Sequence, residues 1–365
     1  MVVPGGVDRS GQQRVIPALL ALVKRLAARH ELRIFALAQE PRPGSWMLHG
    51  ARVTNIGGPG GALRGLRTVV ALRRTHGEVK FDLIQSIWSG SCGLAAVIAA
   101  KSLGLPALVH IAGGELVALP QIQYGGRLTL AGRMREALVL RSAAQVTAAS
   151  VPIIEQLAAL GCRARRVPLG VDLKQWPPQA PRRRDLQAPI RLIHIASLNP
   201  VKDQITLMKA LARLAAEQVA FSMDVVGEDT LGGRIQALSW QLGLAPRVTF
   251  HGFLTQPQLR PLLERAHIHL ISSLHEAGPL AVLEAAVLGV PTVGTAVGHI
   301  AEWAPVAASA VPVGDPQALA AALRQMIADE ERRLGMAAEA ARRALSENAD
   351  HTCAQFEQLY AELAG

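Results

Sequence analysis

Short apolar runs rich in Val and Ile alternate along the chain with longer stretches whose apolar positions recur at helical spacing. Unbroken apolar runs of strand length belong to strands buried on both faces, and the helical stretches between them supply the covering layers. In the first half the pattern predicts strands over Arg33–Ala38, Arg52–Ile56, Phe81–Ile87, Ala107–Ala112 and Gln145–Ala149, separated by helices such as Gln12–Ala28 and Ser91–Leu103. In the second half it predicts strands over Arg191–Ser197, Ser222–Val226, Arg247–His251, Ile268–Ser272 and Pro291–Thr295. Each set suffices for its own parallel sheet, so the chain reads as α/β with two Rossmann-like, doubly wound domains.

Pro177-Pro178, Pro181 and Arg182-Arg183-Arg184 form a polar, helix-breaking connector, which puts the boundary between Pro168 and Pro189. The expected division is 1–172 for an N-terminal domain, 173–348 for a C-terminal domain, and 349–365 for a last helix, amphipathic over Thr352–Leu363, that packs back on the first domain. Two such domains facing each other would leave a central cleft where the carboxyl ends of both sheets meet, and ligands bind at such ends. Only Val2 and Val3 precede Pro4-Gly5-Gly6, about half of the usual ~5 strand residues. The expectation is a first strand that is either unusually short or trimmed at its start.

The length of 365 residues agrees with two cores at roughly 100–200 residues per domain. Half of the residues are hydrophobic and mean hydropathy is +0.24, which excludes a disordered chain. Phe 6, Trp 5 and Tyr 2 leave few rings for stacking bases, so nucleic acid is not an expected partner. Residues 1–172 carry 21 Lys and Arg against 9 Asp and Glu, and the remainder carries 17 against 19. The basic excess points to an anionic partner for the first domain; a solvated arginine-rich surface is the alternative. Cys92, Cys162 and Cys353 lie far apart, with no zinc spacing, and read as cytosolic free thiols. The longest uncharged run, Leu83 to Ala100, is broken by Gln85, Ser89, Gly90, Ser91 and Gly93 and fits a strand, loop and helix better than a membrane span.

The most informative segment is Ile268 to Thr295. A strand runs into a loop, Gly278-Pro279 opens a helix, Gly289 ends it, and a second strand follows. The N–H groups at Leu280 and Ala281, with the positive end of the helix dipole, suit a phosphate. Glu276 and Glu284 flank that start. Eight residues of helix span ~12 Å, beyond the ~5–9.5 Å of a paired glycosidase site, so the two carry separate jobs. Glu284 can accept from a ribose diol and Glu276 can reach a sugar hydroxyl; a solvated helix residue and a helix-start acid are the alternatives.

Glu276-Ala277-Gly278-Pro279-Leu280-Ala281-Val282-Leu283-Glu284-Ala285 resembles the E-x7-E signature of retaining, GT-B-fold glycosyltransferases of family 4. Gly5-Gly6 resembles that family's glycine-rich loop after the first strand, Pro168-Leu169-Gly170-Val171-Asp172 its entry to the second domain, and Val248-Thr249-Phe250-His251-Gly252 its V-x-F-x-G strand. The resemblance implies an Arg and, five residues on, a Lys directed at the donor diphosphate; Lys202 matches the lysine, and Ser197 stands where the arginine would be. It also implies a His at the end of a first-domain strand, where this chain has Ala112. His110 lies two residues earlier, about 7 Å deeper, and reads as a core histidine. Gly113, Gly114 and Glu115 follow as the acceptor-side loop, with capping of the following helix as the other role open to Glu115.

The resemblance implies transfer of a hexose-type sugar from a nucleotide diphosphate sugar to an acceptor hydroxyl with retention, Glu276 and Lys202 being catalytic. Ser197, Lys202, Gly252, Gly278, Pro279, Leu280 and Glu284 would bind the donor, and Gly5, Gly6, Gly113, Gly114 and Glu115 would serve the acceptor. No Asp-x-Asp occurs, so no metal and no cofactor is expected, the helix start and Lys202 taking the charge role. Gly57-Gly58-Pro59-Gly60-Gly61 lacks dinucleotide spacing and reads as a flexible loop facing the cleft. The expected acceptor is a saccharide or a lipid-linked, anionic molecule of cell-envelope synthesis at the cytoplasmic membrane face, where basic residues contribute about 1 kcal/mol each. A same-fold epimerase or phosphorylase, or a non-catalytic nucleotide-sugar-binding subunit, are the competing readings.

Overall fold

The computed structural model describes all 365 residues. They divide into two compact units, Met1–Gly170 together with Ala349–Gly365, and Val171–Asn348.

In the first unit the strands are β1 (Val2–Val3), β2 (Arg33–Ala36), β3 (Gly44–Leu48), β4 (Ala51–Asn55), β5 (Ile84–Ile87), β6 (Ala107–Ile111), β7 (Gln145–Ala148) and β8 (Ala164–Arg166). The helices between them are α1 (Pro17–Ala27), α2 (Gly61–Glu78), α3 (Gly90–Leu103), α4 (Leu130–Ser142) and α5 (Val151–Ala159). The sheet order is β3-β4-β2-β1-β5-β6-β7-β8, parallel except for the β3–β4 hairpin. Short as it is, β1 sits in the middle of the sheet, pairing with β2 and β5, and both of its valines are fully buried.

The helix expected over Gln12–Ala28 begins only at Pro17. Residues 4–16 instead fold as a loop closed by an antiparallel bridge between Val7 and Val15 and by Ile16 N–H donating to Gly6 O at 3.0 Å. Gly6 has φ +78°, and a Cβ there would meet the Ile16 side chain at 2.5 Å, so the turn requires glycine on both counts. Pro17 then sets the helix start. Strands β3 and β8 escape the apolar pattern because they lie at the two sheet edges, where their side chains are only partly covered. The glycine run 57–61 is a loop up to Gly60, and Gly61 opens α2. Gly57 and Gly58 N–H donate to Leu37 O and Pro41 O, at 3.1 and 2.7 Å.

The second unit contains β9 (Ile190–Ile195), α6 (Gln204–Ala216), β10 (Phe221–Val226), α7 (Arg234–Gln241), β11 (Val248–Gly252), α8 (Gln256–Arg265), β12 (Ile268–Ile271), α9 (Leu280–Val287), β13 (Thr292–Thr295), α10 (Gly298–Trp303), β14 (Ala308–Val311), α11 (Pro316–Ala328) and α12 (Glu330–Ser346). Its six strands are all parallel in the order β11-β10-β9-β12-β13-β14. Aliphatic side chains such as Leu192, Val225, Leu270 and Val293 fill the core.

Residues 171–189 are tied into this unit and are not a free connector. Trp176 is buried, Gln179 N–H donates to Val287 O at 2.9 Å, and the buried Arg333 donates to the carbonyls of Arg182 and His267 while pairing with Glu330 at 2.7 Å. A buried guanidinium is tolerable because its donors are satisfied in this way.

The last helix, α13 (Ala349–Ala364), belongs to the first unit. Cys353, Phe356 and Leu359 join Leu19, Leu22 and Leu26 of α1 in one core cluster, and Tyr360 donates to Gln85 Oε1 at 2.5 Å. The helix also brings three acids. The first unit therefore carries 21 Lys and Arg against 11 Asp and Glu, the second 17 against 17, so the whole net charge of +10 resides on the first. No helix is long and apolar enough to cross a membrane.

Candidate functional site

In the second unit, strand order reverses direction between β9 and β12: β10 and β11 lie beyond one, β13 and β14 beyond the other. A crevice opens at the carboxyl ends of such a strand pair, because the chain leaves the two in opposite directions. Lys202 ends a single 3-10 turn, Pro200–Lys202, just after β9, and Glu276 lies in the loop after β12. The two side chains meet there, Lys202 Nζ lying 2.5 Å from Glu276 Oε1. Ser273 Oγ donates to the same oxygen at 2.7 Å. The loops are also stitched by Leu274 N–H to Val201 O and Ser272 Oγ to Lys202 O, both at 2.8 Å.

Beneath the pair, a buried network orders the β9 loop. His194, on β9, lies with Nδ1 2.9 Å from Leu270 O on β12 and Nε2 3.1 Å from Gln204 Nε2. Burial pushes its imidazolium down to about 4, so the ring is neutral at pH 7, donating from Nδ1 and accepting at Nε2. Gln204 Nε2 also donates to Ser197 O at 3.1 Å, fixing the loop from Ser197 to Gln204 that carries Lys202.

Beside the pair, Pro279 is the N-cap, one residue before the position expected for it, and the helix opens at Leu280. The N–H groups of Leu280 and Ala281 belong to the first turn, which has no intrahelical acceptor. Glu284 is not the solvated residue that was one of its alternatives. It is 5% exposed, accepts from Gln256 Nε2 at 3.1 Å on Oε1, and is pushed up by burial to about 7. No side chain takes Oε2. Gly278 precedes Pro279 in the loop, and Gly252 closes β11 at φ +67°, its carbonyl accepting from Gly227 N–H at 2.9 Å.

Sequence reading missed Gly227, Gln204, Gln256 and Ser273. Gly227 follows β10, and a Cβ there would stand 2.0 Å from Ala196 O, so only glycine lets β9 and β10 end side by side. Its place directly after an apolar strand was a usable signal. The others are polar residues with no pattern around them.

In the first unit Gly5 and Gly6 follow β1, while Gly113, Gly114 and Glu115 follow β6. Glu115 does not cap the helix that follows it. Its buried carboxylate turns back, accepting from Ser89 N–H at 3.2 Å ahead of α3, from Ala112 N–H at 3.4 Å and from Gly113 N–H at 2.7 Å. Burial, opposed by these donors and aided by neighbouring Glu136, raises it to about 7. His110 is wholly buried, 2.9 Å from Thr147 Oγ1 and edge-on to Phe356, and burial pushes it down to about 3. Trp88, between β5 and α3, holds φ +71° beside Gly113. No group of three or more His, Cys, Asp or Glu side chains is set to hold a metal.

Two Rossmann-like α/β units with parallel-sheet cores define the GT-B class. Two family models match, "Glycosyl transferase 4-like domain" over residues 15–170 and "Glycosyl transferases group 1" over residues 181–343. The chain belongs to the family-4-like glycosyltransferases of GT-B fold. Over 232 residues it is 28% identical to the D-inositol 3-phosphate glycosyltransferase of Corynebacterium jeikeium, covering 58% of this chain and 54% of that one. Over 172 residues it is 30% identical to the GDP-mannose-dependent alpha-(1-6)-phosphatidylinositol dimannoside mannosyltransferase of Mycobacterium tuberculosis, covering 46% and 44%. The matched stretch thus spans about half the length of these curated relatives. Among solved structures, sucrose-phosphate synthase of Thermosynechococcus elongatus superposes with a TM-score of 0.80 at 20% identity, covering 99% of this chain and 98% of that one. Anabaena HepE in complex with UDP-glucose superposes with a TM-score of 0.74 at 20% identity, covering 99% of each.

Proposed function

We propose that the chain transfers a hexose-type sugar from a nucleotide diphosphate sugar to an acceptor hydroxyl, with retention at the anomeric carbon and without a metal. The observation that carries this reading is the 2.5 Å Lys202–Glu276 pair at the carboxyl ends of β9 and β12, beside the start of α9. A diphosphate entering there exchanges the carboxylate on Lys202 for phosphate oxygens and meets the N–H groups of Leu280 and Ala281. Glu276, released from the lysine and still held by Ser273, accepts from the sugar hydroxyls, and Glu284 Oε2 accepts from the ribose.

The bond from the anomeric carbon to the phosphate oxygen breaks as the acceptor oxygen bonds to the same face, and the acceptor proton passes to the departing phosphate. The protein's share is stabilisation of the negative charge developing on the diphosphate, in the absence of a second cation at Ser197. Gly252 and Gly278 give the donor close backbone approach; Gly5, Gly6, Gly113 and Gly114 serve the acceptor, with Glu115 bracing the loop that carries Gly113 and Gly114.

Two relatives bear names that support an anionic or lipid-linked acceptor, an inositol phosphate in one and a phosphatidylinositol dimannoside in the other. A saccharide or glycolipid acceptor of envelope synthesis, met at the inner membrane face, fits them. Incubation with a panel of nucleotide sugars and membrane extract, read by mass spectrometry and by the anomeric proton couplings of the product, tests the proposal. A new glycoside of the donor's own anomeric configuration is expected. An inverted product overturns retention, and donor conversion without acceptor moves the chain to the epimerases or phosphorylases.

A further inference from the structure

Charge and exposed apolar surface coincide on one face of the first unit. Crossovers through α2, α3 and α4 all advance the sheet in one direction, from β4 to β5, β6 and β7, while α1 steps the opposite way from β1 to β2. Right-handed crossovers therefore put α2, α3 and α4 together on one face and α1 on the other. Consistent with this, α3 packs between α2 and α4, and α13 packs on α1.

The outer surfaces of α2 and α4 are not those of ordinary surface helices. On α2, Leu63, Leu66 and Val70 are 46%, 61% and 56% exposed, and on α4, Leu130, Met134 and Leu138 are 71%, 66% and 50% exposed. Spacings of three and four residues align each set as a single outward stripe. Arginines are interleaved along the same stripes, with Arg67, Arg73 and Arg74 exposed on α2 and Arg133 and Arg141 exposed on α4. The three helices carry only two acids, Glu78, which lies 3.5 Å from Arg74, and Glu136, which is buried. Beside α4 runs an open groove of about 990 Å³, lined by Arg127, Arg133, Arg141, Arg163 and Arg165, of which Arg165 pairs with Glu362 of α13 at 2.7 Å.

Apolar side chains pointing outward among cations that far outnumber the acids match one environment, a bilayer surface bearing anionic headgroups, in which the cations meet phosphate and the apolar tips enter the acyl boundary. We infer that the α2–α4 face of the first unit is a docking surface for an anionic lipid bilayer, with the arginine groove taking headgroup phosphates. Uncharged lipid would leave the arginines unpaired, and an acidic protein surface would leave the apolar stripes uncovered.

The experiment is co-sedimentation of the full chain with phosphatidylcholine vesicles, with and without phosphatidylglycerol. Binding is expected only to the anionic vesicles and to weaken as salt rises. Arg67→Ser with Arg74→Ser, Arg133→Ser and Arg141→Ser should lower partitioning by roughly a hundredfold or more. Leu130→Ser with Met134→Ser and Leu138→Ser should lower it at least about tenfold at unchanged salt dependence. Arg213→Ser with Trp240→Ser, exposed residues of the second unit, should leave it unchanged. Equal binding to neutral vesicles, no vesicle binding, or equal losses in the second-unit variant would each overturn the inference. A dimer disrupted by the stripe substitutions, with no vesicle binding, would instead give the face to a second copy of the chain. Unchanged melting of each variant establishes that the fold is intact. Transfer to a water-soluble acceptor, measured on the same preparations, separates failure of this surface from failure of the proposed activity.

Discussion

The two units share an architecture and differ in what they do with charge. Each is a doubly wound parallel sheet with a buried glutamate near its carboxyl edge, Glu115 in one and Glu284 in the other, and burial lifts both to about 7. In the first unit the carboxylate is taken by backbone N–H groups of its own and a neighbouring loop, so it braces structure. In the second, Glu284 is held by one amide, and nearby Glu276 is held by a cation that a phosphate can compete for. The first unit spends its charge on an outer face, while the second is neutral overall and concentrates a single cation at the switch point. One fold thus supports a surface and a site by changing which loops and helices carry the ionisable groups.

The sharpest way to break this contrast is at the pair itself. Lys202→Ala and Glu276→Ala should each lower turnover at least about a hundredfold, the scale of removing one preorganised charge or donor from a developing anion. Near-normal turnover in Glu276→Ala, measured with saturating donor, would remove that residue from the site.

A smaller effect separates the two buried carboxyls by pH. Each has a folded pKa above its ordinary value of 4.5, so the folded chain binds more protons than the unfolded one between pH ~4.5 and ~7. Stability is therefore fully present below that window and falls as pH rises through it, by on the order of 3 kcal/mol for each group. Glu284→Gln keeps an acceptor for Gln256 and should flatten the second unit's share of the slope in denaturant titrations at pH 5 and 8. Glu115→Gln should do the same for the first unit, and an unchanged slope in both would mean that neither carboxyl is protonated in the folded state.

Donor affinity comes next. Glu284→Ala should raise the KM for donor about tenfold, the worth of one or two hydrogen bonds to a buried acceptor, with kcat largely kept. The smallest change is expected of Gln204→Leu, which leaves Lys202 in place but frees the loop it rides on. A few-fold loss in kcat, with a KM nearer the parent value, would mark it as a positioning residue. A loss confined to melting temperature would reduce it to a structural one.

Much of the fold was legible because it rests on pattern. Ten of the strands announced themselves as apolar runs, and the boundaries moved by only a few residues. Where reading failed, the covering was partial or the residues were small and polar. Strands β3 and β8 sit at sheet edges, β14 is Ala308-Ser309-Ala310-Val311, and the loop before Pro17 looked helical until the Val7–Val15 bridge claimed it. Of the site, Glu276 and Glu284 were visible through their spacing to Gly278-Pro279, and Lys202 only through the family resemblance. Gln204, Gln256 and Ser273 were not, because a polar residue's partner across the sheet leaves no trace along the chain.

By itself the sequence determined the two parallel sheets, the helix that opens after Gly278-Pro279 and the basic bias of the first half, since periodicity, helix punctuation and charge are local or additive properties. Only the tertiary structure decided that Lys202 and Glu276, separated by 74 positions, stand 2.5 Å apart. It also decided that Glu284 is buried. Each of these depends on which strands become neighbours and which surfaces a helix covers, and burial and proximity exist only once the chain has closed on itself.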